Sequence, residues 1–212
     1  MSYTREQSEF DRAITFFDAT FAIAMTLLVT SLDISHRVLA FASLAALGNA
    51  VGAQFVAFLI AFAVVASCWL QHHRMVANFV ALDVPTIIAN LCLMAGIVLL
   101  PFSTSAVGDP RVESFPLPTA LMAVNVAAVA VLYTVVWIVA AGRGLIDPPP
   151  SADGRRTAVI GGLAPAVVFL ASIPIAYLAA PKFARLFWVV LLLANPLVPR
   201  LAARMRRLKG AT

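Results

Sequence analysis

Charge is scarce in this chain. Only 12% of its 212 residues are Asp, Glu, Lys or Arg, while 62% are hydrophobic. A soluble globular domain carries about 25% charged and roughly 45–50% apolar residues. The shortage excludes a soluble enzyme and a disordered protein, because neither could hide or solvate so much apolar surface. Cysteine is scarce as well. Cys68 and Cys92 are the whole inventory and both fall inside apolar runs, which excludes a disulfide scaffold and offers no metal-ligand spacing. The chain also lacks a His-Glu-x-x-His or Gly-x-Ser-x-Gly signature, so the familiar zinc and serine hydrolase designs are out.

What the chain has is long apolar runs. A helix crossing ~30 Å of hydrocarbon needs about 20 mostly apolar residues. Six stretches qualify, at 13–32, 50–70, 84–105, 118–141, 157–180 and 183–201. The expected fold is therefore an all-α integral membrane protein, with residues 1–212 forming one six-span domain. The first stretch is too long for a signal peptide and lacks a small-x-small cleavage site before Asp33. The connections are short; 142–156, with Pro148-Pro149-Pro150, is the clearest linker, and Val38–Leu47 reads as a short amphipathic surface helix.

The net charge of +5 does not point to nucleic acid, because the basic residues sit in short loops and at the C-terminus. Six spans put both termini on one side. That side holds eleven of the fifteen Lys and Arg residues and the other holds four: Arg37, Arg111, Lys182 and Arg185. The positive-inside rule then places both termini in the cytoplasm of a cell membrane.

The first span carries the information. Asp18 lies six residues past Arg12, about 9 Å along the axis. An acid at that depth needs a partner, and six steps of 100° put Arg12 on nearly the opposite side of the helix. The antiparallel second span ends on the same side with Trp69, His72, His73 and Arg74. A polar cluster of Arg12, Asp18, Trp69 and one or both histidines is expected to pin the two helices together. With Ile23 as the zero of a helical wheel, Phe16, Ala19, Thr26, Leu27 and Thr30 fall within roughly 60°, and Asp18 about 140° away. Two readings of this stripe stand open. Thr26 and Thr30 can bond back to their own helix, making the stripe a packing surface. Alternatively, copies of the stripe line a pore, with Ile23 and Leu27 as an apolar constriction and Thr26 and Thr30 as oxygen ligands.

Arg12-x-x-x-Phe16-Phe17-Asp18, followed by Ile23 and Thr26, resembles the Arg-x-x-x-Phe-Ser-Asp signature of the transmembrane protein 175 family, the endolysosomal potassium channels and their bacterial homologues. The resemblance continues through Trp69-x-x-His72-His73-Arg74 and from Asn90-Leu91 to Pro101-Phe102-Ser103-Thr104. It covers about the first half of the chain. It implies passive potassium conduction through a first-helix pore without a pore-loop filter, and no Thr-Val-Gly-Tyr-Gly occurs here. The position five after the motif aspartate is the family's aliphatic constriction, here Ile23; the position eight after it is the selectivity threonine, here Thr26. Phe16, Phe17, Asp18 and Arg12, with Trp69, His72 and His73, would form the supporting polar network. A single six-span repeat implies a homotetramer, no cofactor beyond the permeant potassium ion, and no enzymatic activity. One position departs: Phe17 stands where the motif has serine. A small secondary transporter is the main rival: Gly161-Gly162, Pro165 and Pro174 are expected to break the fifth span, but the second span has no matching break. A membrane haem or metal protein using His72 and His73 comes last, because adjacent residues point about 100° apart.

Overall fold

The computed structural model describes residues 2–32, 41–109 and 111–194. It is a helical bundle with one very small sheet. In chain order the elements are β1 (Ser2–Thr4), α1 (Ser8–Leu27), α2 (Leu44–Val76), β2 (Ala81–Asp83), α3 (Val84–Val98), α4 (Leu100–Gly108), α5 (Pro116–Gly142), α6 (Ala152–Leu178) and α7 (Pro181–Ala194). A 3-10 turn, Leu28–Ser31, continues α1. Five segments are long and apolar enough to cross a membrane: Ser8–Thr30, Gln54–Val76, Val84–Gly108, Pro116–Gly142 and Ala152–Leu178. The sixth expected span begins in α7, and its remainder lies outside the described residues. Of the surface helix expected at Val38–Leu47, residues 38–40 also lie outside them, and the part from Leu44 belongs to the first turn of α2.

Local chemistry explains several boundaries. Ser43 caps α2 by accepting from the Ala46 amide, Asp83 caps α3 through Thr86, and Ser151 caps α6 through Gly154. The third span is two helices, parted at Leu99. Pro101 has no amide hydrogen to give and its ring crowds the carbonyl four residues back, so the hydrogen-bond ladder is interrupted there. The fifth span corrects the expectation of a break, since α6 runs unbroken through Pro165 and Pro174. The carbonyl that Pro165 crowds belongs to Gly161, where a Cβ would meet nothing within 4 Å, so the backbone has room to yield.

The α5–α6 pair makes the most extensive helix contact in the bundle. It is close because Gly162 of α6 has no side chain: a Cβ there would lie 2.5 Å from Thr134 Oγ1 of α5. At the N-terminal end, β1 pairs antiparallel with β2, Ser2 opposite Asp83. Arg5 donates to the carbonyls of Val76, Ala77 and Phe79, filling the acceptors left at the end of α2. Arg143, just past α5, pairs with Asp83. Burial alone would raise the Asp83 carboxyl, but the bonds from Thr86 and Arg143 outweigh it and hold the group below its ordinary range.

Candidate functional site

α1 has two faces that differ sharply in what covers them. Phe10, Phe17, Phe21, Ala24 and Leu28 are buried. Their spacings of seven, four, three and four residues form one stripe of a 3.6-residue helix. It packs against α2, α3 and α4. On the opposite face, Phe16, Ala19, Ile23, Thr26, Leu27 and Thr30 are all exposed, with Phe16 and Ile23 each 56% accessible. Nothing within the chain covers this stripe among the described residues. Its hydroxyls are nonetheless engaged: Thr26 Oγ1 donates to the Ile23 carbonyl at 2.8 Å and Thr30 Oγ1 to the Leu27 carbonyl at 2.6 Å. The proton of each hydroxyl is committed to the helix, and its two lone pairs remain on an uncovered face.

Behind this helix lies a polar network, built differently from the cluster the sequence suggested. Trp69 Nε1 donates to Asp18 Oδ1 at 3.0 Å, so the acid of α1 is satisfied by an indole of α2. The Trp69 ring is tilted against that of exposed His73 at 5.6 Å. His72 turns the other way and is buried. Its Nε2 lies 2.9 Å from Asn90 Oδ1, while Asn90 Nδ2 donates to the Thr86 carbonyl at 2.8 Å. Because the amide nitrogen is used on Thr86, the oxygen faces His72, and Nε2 is the donor. Phe17 stands edge-on to the His72 ring at 5.7 Å, and Phe21 is tilted against it at 5.4 Å. Tyr133 of α5 closes the far side of the ring and donates its hydroxyl to the Cys68 carbonyl.

Two residues expected in this network lie elsewhere. Arg12 is exposed and makes no hydrogen bond or ion pair among the described residues. Eleven steps before Ile23, it sits about 20° from it on the wheel, in line with the exposed stripe rather than with Asp18. Phe16 is also on that stripe and touches the network only through the edge of Phe17, at 6.2 Å. Conversely, Asn90 and Tyr133 are central. Asn90 already stands in the quoted resemblance, whereas Tyr133 shares its span with Thr119, Asn125 and Thr134, so composition alone does not single it out. No group of three or more His, Cys, Asp or Glu side chains is arranged to hold a metal among the described residues.

Comparison with known proteins places this arrangement. Residues 12–101, which hold most of α1 with α2 and α3, match the family described as endosomal/lysosomal potassium channel TMEM175. A potassium channel of Chamaesiphon minutus is 29% identical over 138 residues, 62% of this chain and 66% of that protein. A potassium channel of Streptomyces collinus is 26% identical over 180 residues, 82% of this chain and 85% of that one. Among solved structures, a lysosomal potassium-selective channel TMEM175 homolog from Chamaesiphon minutus superposes with a TM-score of 0.72 at 23% identity, covering 90% of this chain and 98% of that chain. The potassium channel MtTMEM175, in a variant bound to a Nanobody-MBP fusion protein, superposes at 0.63 with 18% identity, covering 95% of each. Residues 12–101 thus resemble the TMEM175 family in sequence, and nearly the whole chain shares the fold of a solved TMEM175 homolog.

Proposed function

We propose that this protein is a potassium channel whose pore is made by the exposed face of α1, repeated around the axis of a homotetramer in the cell membrane with both termini cytoplasmic. The observation that carries the reading is the uncovered α1 stripe, backed by a buried phenylalanine face and a satisfied acid. A helix whose own chain fixes its rotation so firmly presents Ile23, Thr26, Leu27 and Thr30 in a constant direction. Four copies would form rings of oxygen lone pairs at Thr26 and Thr30, alternating with apolar rings at Ile23 and Leu27.

Such rings divide the work of permeation. An ion at an apolar ring loses water without gaining ligands, so Ile23 and Leu27 act as the barrier. At Thr26 the hydroxyl proton is held by the helix, and the oxygen is oriented to replace part of a potassium hydration shell. Asp18, Trp69, His72 and Asn90 keep the helix in phase rather than touch the ion. Conduction is passive, needs no cofactor or catalytic residue, and does not use a pore-loop filter. The transporter alternative wants matched broken helices; the second span offers no break in sequence, and α6 runs unbroken through its prolines.

The test is ion flux through purified protein in liposomes, with potassium, sodium and caesium compared. Wild type is expected to favour potassium. Ile23→Asn is close in size but holds water, and should conduct more readily. Ile23→Phe should block. Equal flux in all three proteins would mean that Ile23 faces lipid and that the pore lies elsewhere.

A further inference from the structure

At the end of the bundle remote from the N-terminus, α2, α4, α5 and α7 part around a cleft of about 500 Å³. Val56, Ile60, Val107, Met122, Leu186 and Trp188 are among the residues that wall it, and its rim carries Asp109, Glu113, Lys182 and Arg185. The walls and rim sit at different heights. The apolar stretches Gln54–Val76, Val84–Gly108 and Pro116–Gly142 begin or end at this level. The four charged residues therefore lie just beyond the hydrocarbon, and the walls descend into it. A site that is apolar in the hydrocarbon and charged at its boundary matches an amphiphile, not a soluble solute.

The charges narrow the class. Asp109 is paired with Arg111. Arg185 uses two donors, one on Thr119 Oγ1 and one on the Glu113 carbonyl, each at 3.0 Å, and a guanidinium has five. The Lys182 ammonium lies over the Phe183 ring. Among the described residues, neither that ammonium nor the Glu113 carboxylate makes a hydrogen bond or ion pair. One cation that touches only an aromatic ring, and one carboxylate within electrostatic reach of Arg185 but not hydrogen-bonded to it, share the rim.

We propose that the cleft binds one phospholipid with a zwitterionic, amine-bearing head group. An acyl chain fills the apolar walls, the phosphate meets Lys182 and the remaining donors of Arg185, and the head-group ammonium meets Glu113. A purely anionic lipid would satisfy the cations but compete with Glu113 for Arg185, leaving one negative charge in excess at the rim. The inference stands apart from the pore, because the cleft shares no residue with the α1 stripe.

Gly52 offers a clean probe. It lines the cleft, and a Cβ there would meet nothing within 4 Å, so a side chain can start at this position without a clash. The experiment is native mass spectrometry of the delipidated oligomer after exposure to vesicles of phosphatidylethanolamine or of phosphatidylglycerol. Wild type should retain one phosphatidylethanolamine per chain in preference to phosphatidylglycerol. Gly52→Phe should lose it while keeping wild-type helicity and oligomer size. Lys182→Gln should retain it about tenfold less well, the effect of removing one charge-assisted contact. Equal retention by wild type and Gly52→Phe would overturn the site. Preference for phosphatidylglycerol would overturn the head-group assignment. Dissociation of the oligomer in Gly52→Phe, with no lipid on wild type, would mean that a second copy of the chain fills the cleft instead.

Discussion

Replacing Phe17 by serine restores the family motif and, on this structure, should harm the protein. Phe17 is 1% exposed, stands edge-on to His72 and belongs to the buried stripe of α1. Truncating a buried phenylalanine in a soluble protein costs about 3–5 kcal/mol, part of it transfer from water and part the cavity left behind. In a bilayer the unfolded reference keeps the ring in hydrocarbon, so the cavity part dominates, leaving roughly 2–3 kcal/mol. The new hydroxyl adds little, because it can bond back to the carbonyl one turn earlier. For a chain of this length each kcal/mol shifts the melting temperature by about 2–4 °C, so the loss should be about 4–12 °C. The assay is thermal unfolding of the purified protein in one detergent, with Phe16→Ser as the control. Phe16 is next in sequence, 56% exposed, and should shift little. If Phe17→Ser melts with wild type, the pocket accepts serine as the motif does. If Phe16→Ser melts as low as Phe17→Ser, burial is not the cause.

Three further outcomes are expected. Thr26→Val keeps the shape of the side chain and deletes its oxygen, so potassium should lose preference over sodium while conduction persists; an unchanged reversal potential in mixed salt would confine the hydroxyl to its helix bond. Gly162→Val drives a side chain into Thr134, where even a Cβ would sit 2.5 Å from Oγ1, and should destabilise the α5–α6 pair by about 1–3 kcal/mol, read as a lower melting temperature than Gly161→Val. Asp83 is held below the usual carboxylate range, so its contribution to stability is complete above about pH 4 and is lost as pH falls through the lower folded value. Asp83→Asn should therefore lower the melting temperature at neutral pH and flatten its decline in acid; parallel curves for the two proteins would remove Asp83 from the acid response.

The all-helical membrane fold was legible because hydrocarbon thickness demands long apolar runs, and those runs are hard to hide in a sequence. The link between Asp18 and the end of the second span was also legible, since an acid inside a membrane span must find a donor and antiparallel topology brings Trp69 to its depth. The membership of the network was less so. Arg12 shares a motif with Asp18 but not a face, and motif spacing says nothing about which partner wins. Asn90 and Tyr133 reach His72 from α3 and α5, and only the packing of those helices reveals it. The sheet was illegible for a different reason: Ser2–Thr4 and Ala81–Asp83 are too short to show a period of two. Proline misled in both directions. Pro101 parts a span, whereas Pro165 does not, because glycine four residues earlier relieves the crowding.

The small sheet and the Arg5 clamp give α1 a fulcrum. They tie the start of the chain to the end of α2, more than seventy residues on, so the two helices cannot slide past each other at that end. A change in tilt of α1 must then pivot there, and displacement grows with distance along a helix about 30 Å long. A tilt of about 5° moves Asp18 by roughly 1.3 Å, Ile23 by about 2 Å and Thr30 by nearly 3 Å. A displacement of that size along the bond would break the 3.0 Å Trp69–Asp18 contact, which therefore resists the tilt, while rings at Ile23 and Thr30 in the proposed pore would change in radius by more than half the width of a water molecule. If the proposed first-helix pore holds, the clamp would act as a lever, turning a small rotation at the anchored end into a large change in aperture at the free one.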